Sequence, residues 1–307
     1  HSSAVKKMSL PRSDVAVVLV TFNRAALLRE CLEGILAQTL SNRISAIYVI
    51  DNASSDNTQD LMRESYALNP QVKYIRMPEN VGGAGGFHHG IREAHQSGAP
   101  WIWTLDDDVE PEPDCLERML SLEPVSDCIH PLVVYQDGSE HQWEHLFDPI
   151  TTLQTGLRNR SFANGKDWCS MNVACFEGML IKSSIVDKIG YPLADFFVFG
   201  DDGHYGYMAS MQTNVIYTNR ARLIKKIKPN GNNTPFKIYY DIRNRLLLRQ
   251  RLKPYHERAS FHSKLFWVFI LIHSWRMTKG PNRASKLRAA WHALRDGGRQ
   301  VTGRHRY

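Results

Sequence analysis

Three consecutive aspartates, Asp106, Asp107 and Asp108, follow the apolar run Trp101 to Leu105. Adjacent carboxylates repel one another, so a cation usually offsets them. In an extended chain Asp106 and Asp108 point to one side and Asp107 to the other. Two carboxylates on one side suit Mg²⁺ or Mn²⁺, hard cations that take oxygen ligands and share them with substrate phosphates. A solvated acidic loop would also explain the triplet alone; its position after a buried strand favours a ligand site. A second acidic pair, Asp201 and Asp202, follows Phe196-Phe197-Val198-Phe199-Gly200. Carboxylates beside an apolar segment have perturbed protonation, which suits a general base. Capping of a helix would ask for the same residue types.

Other candidates surround these acids in the sequence. Asn80 to Phe87 carries four glycines, Gly82, Gly83, Gly85 and Gly86, at the expected start of a helix. Glycine lets a backbone approach a ligand closely, and a helix N-terminus favours anions. Tight packing of the helix on a sheet accounts equally well for about half of such glycines. The run is neither a dinucleotide fingerprint nor a P-loop, because it follows the third strand and no Gly-Lys-Ser/Thr comes after it. Asp51 could accept hydrogen bonds from a nucleoside, or close an Asx-turn with Asn52 and Ser54 nearby. Thr21 and Arg24 could hold a base and a phosphate. Trp168 and the stretch Ala174 to Gly178 would fit a wall of a sugar pocket, although a tryptophan is more often core.

The elements that must position these residues read as an alternation. Asp14 to Thr21, Ile44 to Ile50, Val72 to Arg76 and Trp101 to Leu105 read as strands. Ala25 to Gln38, Asp56 to Leu68 and the glycine-led segment through Ser97 read as helices between them. Such an order predicts a parallel α/β sheet covered on both faces. Ligands of these sheets bind beyond the carboxyl ends of the strands. Thr21 to Arg24, Asp51-Asn52 and the aspartate triplet all fall at those ends. Residues 128 to 182 read as mixed and strand-rich, and Asp201 to Met211 as a helix.

Gly231 to Pro235 is a breaker-rich boundary. It divides an α/β unit, 14–233, from a helical region, 234–307. The unit itself splits into a donor half, about 14–125, and a second half, about 126–233. Lys237 to Arg251, His262 to Lys279 and Ala284 to Arg299 read as basic amphipathic helices. From Arg220 to Tyr307 there are 22 Lys and Arg against three acids, whereas the preceding residues hold 16 and 28. The basic part suits an anionic surface or a diphosphate. Its longest apolar run, Leu265 to Ile272, is too short for a bilayer span, which needs about 20 residues. Flanked by Lys and Arg, it suits a helix lying at a membrane interface, or packing on the α/β unit or a second copy. The five cysteines lack C-x-x-C spacing and read as reduced thiols rather than a zinc site. Val15 to Val20 is too short for a secretory h-region, and the residues before it are polar. Nucleic-acid binding lacks both aromatic RNA-binding signatures and zinc spacing.

Together the segments Val20 to Arg24, Val49 to Asp56, Glu79 to Phe87, Trp103 to Asp108 and Phe199 to Asp202 resemble glycosyltransferase family 2 in type, order and spacing. The glycine run followed by the aspartate triplet, with Ile238 to Asn244, is most similar to the bacterial galactofuranosyltransferase branch. The resemblance implies a GT-A fold and inverting transfer from a UDP-sugar, UDP-galactofuranose in that branch. It implies a glycan or lipid-linked glycan acceptor of a cell-surface polysaccharide, O-antigen or galactan. Thr21, Phe22, Arg24, Asp51, Asn80 and Gly83 would then cradle the donor, with Asp107 near the ribose and Trp168 at the sugar. Asp106 and Asp108 would bind Mn²⁺ or Mg²⁺, and Asp202, beside Asp201, would be the base. The same resemblance implies a cytoplasmic protein, peripheral on the inner face of the bacterial plasma membrane, with association between copies left open. A rhamnosyl- or other hexosyltransferase of the family fits the same motifs. A non-catalytic UDP-sugar- or nucleic-acid-binding protein would leave the aspartates unexplained. The chain departs from the pattern at one point. Related enzymes often supply a histidine metal ligand after the base helix, but residues 213–233 contain none. Lys225, Lys226 and Lys228 stand there instead, and a lysine could neutralise the diphosphate in place of a cation.

Overall fold

The computed structural model describes residues 14–141, 146–156, 162, 165–256 and 263–307. The chain begins β1 (Val15–Thr21), α1 (Ala25–Leu36), β2 (Ile44–Asp51), α2 (Thr58–Leu61), β3 (Val72–Arg76), α3 (Gly82–Gln96) and β4 (Trp101–Asp106). These are the expected alternating elements. The second helix is the exception: after one turn it widens into a π-helical stretch, Met62–Tyr66. There follow β5 (Val109–Pro111), α4 (Cys115–Leu120), β6 (Cys128–Tyr135), β7 (Leu146–Phe147), β8 (Gln154–Thr155), β9 (Trp168–Ser170) and β10 (Leu180–Lys182). Then come α5 (Ser183–Ile189), α6 (Asp201–Ser210), β11 (Val215–Lys225), α7 (Pro235–Leu252), α8 (Ser263–Met277) and α9 (Arg283–Gly298).

The main sheet runs β3-β2-β1-β4-β10-β6-β11-β5, with β9 also pairing β11. The first four strands are parallel, and their registers align Thr21 with Asp51, Asp51 with Arg76, and Val20 with Asp106. One row across the carboxyl edge therefore carries Arg76, Asp51 and Thr21, and Asp106 lies one position back, beside Val20. β10 is antiparallel to β4 and β6, so the sheet is mixed on its far side. β11 runs parallel to β6 and is interrupted by a bulge between Thr218 and Arg222. After the bulge it carries Lys225 to the same region as the aspartates.

The continuous apolar run of β1 is explained by burial on both faces. Val15, Val17 and Leu19 pack on one side with Leu28 and Leu32 of α1. Ala16, Val18 and Val20 pack on the other with Phe87 and Ile91 of α3. Helix α3 lies close on the sheet because it is rich in glycine there. A Cβ at Gly86 would stand 2.7 Å from Val20 Cγ1, and one at Gly90 would stand 2.3 Å from Val18 Cγ1.

Helix α7 starts at a cap: Thr234 accepts from the Lys237 amide at 3.2 Å, and Pro235 opens the first turn. Three helices follow, as the basic pattern predicts; His262 lies outside the described residues. Yet α7 is no appendage. Its Ile238, Tyr240 and Leu246 pack with Phe197, and with Phe266 of α8 and Ala290 and Ala293 of α9. Helix α8 departs from the amphipathic expectation, because Leu265 to Ile272 is apolar on its buried and its exposed sides alike. Phe266 and Ile270 are buried, whereas Trp267, Leu271, Ile272 and Trp275 are exposed. Among the described residues no helix is long and apolar enough to cross a membrane.

Candidate functional site

At the carboxyl edge the aspartate triplet divides as an extended chain would divide it. Asp106 and Asp108 fall together with Glu177, which lies between β9 and β10, and their oxygens come within 4.8 Å of one another. Asp107 turns the other way, accepting from Thr21 Oγ1 at 2.8 Å and from Arg24 at 3.0 Å. Burial holds Asp107 above the usual carboxylate range despite both partners.

Lys225, at the end of β11, sits among the three acids. Its Nζ lies 2.6 Å from Glu177 Oε2 and 3.4 Å from Asp108 Oδ2. Burial opposes its charge, but Glu177, Asp108 and Asp106 outweigh that and hold the ammonium firmly protonated. The other two lysines do not reach the triplet. Lys226 is paired with Glu110 and Glu30, and Lys228 with Asp137. Their outward positions follow from alternation along the chain and from nearer acids.

One lysine does not balance three carboxylates. Burial, with Asp108 beside it, pushes Asp106 well above the usual range. Burial pushes Glu177 up to about 7 even with Lys225 in contact. Glu177 Oε1 is buried without a hydrogen-bond partner among the described residues. Three converging hard oxygen donors, an orphaned oxygen and excess negative charge fit a divalent cation. Glu177 is the ligand candidate that sequence reasoning missed. It lay in the stretch assigned to the pocket wall, and its offset from the triplet gave no spacing to read.

Beyond Asp106 opens a cleft of about 450 Å³. Gly83, Phe87, Cys175, Phe176, Phe199, Asp201 and Asp202 line it. Asp202 accepts from the Gly203 amide at 2.7 Å, and the Cys175 thiol beside it in the cleft favours its charged form. Burial nonetheless raises its pKa. Asp201 is raised further, by burial and by the adjacent Asp202 charge. Both carboxyls are thus held above the usual range, and the Gly203 amide favours charge on Asp202.

The donor-side candidates are placed less uniformly. Gly83 is the open one of the run: nothing lies within 4 Å of a Cβ built there. Asn80 accepts from the Gly82 amide at 2.8 Å and so shapes the start of α3. Phe22 and Arg24 stand exposed after β1. Asp51 is fully buried, and its oxygens accept from Tyr74 at 2.5 Å, Arg76 at 3.1 Å and the Ser54 amide at 2.9 Å. It therefore presents no exposed oxygen and closes the turn, the plainer of its two sequence readings. Trp168 corrects an expectation. It does not line the cleft; it pairs opposite Thr218 on β11, seven residues before Lys225, and packs against the core under the sheet. Cys175 and Phe176 occupy the wall instead.

The far side of the cleft belongs to the basic helices. Asp241 and Arg245 of α7 line it and form a two-armed pair at 3.0 and 3.1 Å. Arg245 also donates to the Thr152 carbonyl, and His273 of α8 reaches Asp241 at 2.6 Å. Burial alone would raise Asp241, but Arg245 and His273 hold it far below the usual range. Sequence reading assigned these residues to a surface, because a charged residue every fourth position looks the same on a solvated face.

Comparison with known proteins adds family identity to this geometry. Glycosyl transferase family 2 matches residues 16–190. Galactofuranosyltransferase GlfT1 of Mycolicibacterium smegmatis is 29% identical over 193 residues, which is 61% of this chain and 62% of that protein. Glycosyltransferase AglE of Haloferax volcanii is 23% identical over 225 residues, 69% and 70% of the two chains. The chain thus spans less than two thirds of the galactofuranosyltransferase it matches. Among solved structures, GalNAc-T7 with UDP, GalNAc and Mn²⁺ superposes with a TM-score of 0.61 at 13% identity, over 78% of this chain and 48% of that one. Mannosyltransferase PcManGT from Pyrobaculum calidifontis, in complex with GDP-Man and Mn²⁺, gives 0.56 at 19% identity over 94% and 80%. The fold is GT-A, and the chain belongs to glycosyltransferase family 2.

Proposed function

We propose that the chain is an inverting glycosyltransferase that uses a UDP-sugar, with galactofuranose the transferred group, and Asp202 as general base. The observation that carries this reading is that Asp202 and Asp106 face one cleft, with Asp106 belonging to the acid cluster at the sheet's carboxyl edge. A donor diphosphate at that cluster puts the sugar in the cleft and leaves the acceptor hydroxyl beside Asp202.

The chemistry is one displacement. Asp202 takes the acceptor hydroxyl proton. The oxygen bonds to the anomeric carbon as the bond to the diphosphate breaks on the opposite face, and that electron pair leaves with UDP. No covalent enzyme nucleophile is needed, and the anomeric centre inverts. Asp106, Asp108 and Glu177 would hold Mn²⁺ or Mg²⁺, which supplies charge to offset the leaving diphosphate. Lys225 holds its own positive charge beside the same group. Asp107 fixes Thr21 and Arg24 at the nucleotide side.

Galactofuranose is supported by the likeness to GlfT1, and the role in cell-surface polysaccharide rests on the same likeness. The exposed apolar side of α8, flanked by Lys264, Arg276 and Lys279, supports docking at an anionic membrane surface. That position suits a lipid-linked glycan acceptor, because His273 of the same helix contacts Asp241 in the cleft. The test is acceptor-dependent nucleotide release from UDP-galactofuranose, UDP-galactose, UDP-glucose and dTDP-rhamnose, with a galactose- or rhamnose-terminated glycolipid as acceptor. Release from UDP-galactofuranose alone, abolished by Asp202→Asn, supports the full reading. Turnover of another donor removes the galactofuranose assignment. Absence of any turnover, with no thermal shift from UDP, removes the enzymatic one.

A further inference from the structure

The segment that delivers Asp201 and Asp202 to the cleft is strained. Phe197, Phe199 and Gly200 have φ of 66°, 65° and 88°. Phenylalanine rarely adopts such angles, and Phe197 and Phe199 hold them only because their surroundings impose them.

The surroundings here satisfy each carbonyl in turn. Asn244 of α7, itself buried, donates its side-chain amide to Phe196 O at 3.1 Å, Val198 O at 2.6 Å and Phe199 O at 2.8 Å. Arg243, also buried, donates to Phe196 O at 2.9 Å. The remaining carbonyl, Phe197 O, accepts from the Ala84 amide of α3 at 3.0 Å. That approach requires Gly82, where a Cβ would stand 2.0 Å from the same oxygen. The Gly200 carbonyl then accepts from His204 in the first turn of α6. A buried carbonyl left unpaired is costly, so this arrangement fixes the loop rather than merely tolerating it.

We propose that Asn244 is a positioning residue for the base: its amide, with Arg243, clamps carbonyls 196 to 199 so that α6 begins with Asp202 facing the acceptor hydroxyl. The proposal rests on Asp202 being the base. Asn244 borders the same cleft, but its amide is taken up by the three carbonyls, so on this account it acts through Asp202. The same clamp joins α7 to the α3 glycines, so donor cradle, base and first basic helix are assembled around one loop.

The test uses the full chain and compares Asn244→Ala and Asn244→Ser with wild type. Misplacing a catalytic group by about 1 Å can cost about 100-fold. The expected result is therefore a fall in kcat of about that size for Asn244→Ala, with donor KM and the UDP-induced thermal shift nearly unchanged. Asn244→Ser keeps one donor and should recover part of the rate; it also serves if the alanine variant does not fold. The acid limb of the pH–rate profile should move down as the carboxylate gains solvent. In an Asp202→Asn background, Asn244→Ala should cost nothing further, because the residue acts through Asp202. Unchanged kcat in folded variants, or equal losses with and without Asp202, overturns the clamp. Full activity of Asp202→Asn itself would instead overturn the assignment of the base.

Discussion

Lys225 Nζ lies 2.6 Å from Glu177 Oε2, with both side chains about nine-tenths buried. This pair joins the end of β11 to the loop before β10, and it brings a buried ammonium into an acid cluster that also holds Asp106 and Asp108, the latter also 3.8 Å from Arg24. Removing one partner of a buried pair commonly costs about 3–5 kcal/mol, because the other charge stays buried. Lys225→Met should therefore melt well below wild type in EDTA. If the acids also bind a metal, Mn²⁺ should raise the melting temperature of the variant more than that of wild type. Melting curves with and without Mn²⁺ measure both. Equal Mn²⁺ shifts in the two proteins would separate Lys225 from the metal site.

The pH dependence of transfer follows from the environment of Asp202. Burial raises its carboxyl above the ordinary 3.8, while the Gly203 amide and the Cys175 thiol pull it back. The working form is the carboxylate, so activity is lost on acidification, and at a higher pH than for an exposed aspartate. Cys175→Ala removes a donor to the charged form and should move this acid limb upward. A profile of kcat/KM against pH decides it; a limb that stays in place or moves down would detach Cys175 from the base. Asp202→Asn should lower the rate about 10²–10⁴-fold above the acid limb, and the gap should narrow as acid protonates Asp202 in wild type.

Helix α8 buries Phe266 and Ile270 and exposes Trp267, Leu271, Ile272 and Trp275. If that face meets lipid, the double change Trp267→Ser and Trp275→Ser should weaken partition to anionic vesicles, read by flotation, about a hundredfold or more, taking at least about 1.5 kcal/mol per aromatic side chain lost from the interface. Replacing Arg276 and Lys279 with glutamine should weaken binding further, by about 1 kcal/mol each, and mainly at low salt. Equal flotation of wild type and the double variant would reassign the face to protein contacts.

The carboxyl-edge acids were legible because their environment is sequential. A buried strand, a parallel neighbour and a polar tip follow one another along the chain, so Thr21, Asp51 and Asp106 could be placed at one edge of the sheet from the sequence alone. Glu177, Asp241 and Arg245 were not legible in the same way. Each reaches the site across a crossover or a helix packing that no local period encodes. Trp168 goes the other way: a motif-adjacent aromatic reads as a cleft wall, whereas the pairing of β9 with β11 sets it half-buried against the core. The glycines sort only in three dimensions, because packing against β1 and openness to the cleft look identical as letters.

That sorting gives a paired prediction on one helix. At Gly90 a Cβ would stand 2.3 Å from Val18 Cγ1 and 3.1 Å from Ile50 Cγ1. The sheet must shift or the helix must lift, and overpacking of this kind costs about 1–3 kcal/mol, only partly offset by alanine's better helix propensity of about 1 kcal/mol. At Gly83 nothing lies within 4 Å, and the residue lines the cleft. Gly83→Ala should therefore melt like wild type, within the roughly 0.5 kcal/mol typical of unconstrained positions. If the donor sugar lies where Asp106 and Asp202 meet, the added methyl intrudes on it, and donor KM should rise while the fold is untouched. Gly90→Ala should do the opposite, losing stability with an ordinary donor KM in the folded fraction. Melting temperature and donor KM for the two variants separate packing glycines from ligand glycines. Loss of stability in Gly83→Ala, or an unchanged donor KM, would return the whole run to packing against the sheet.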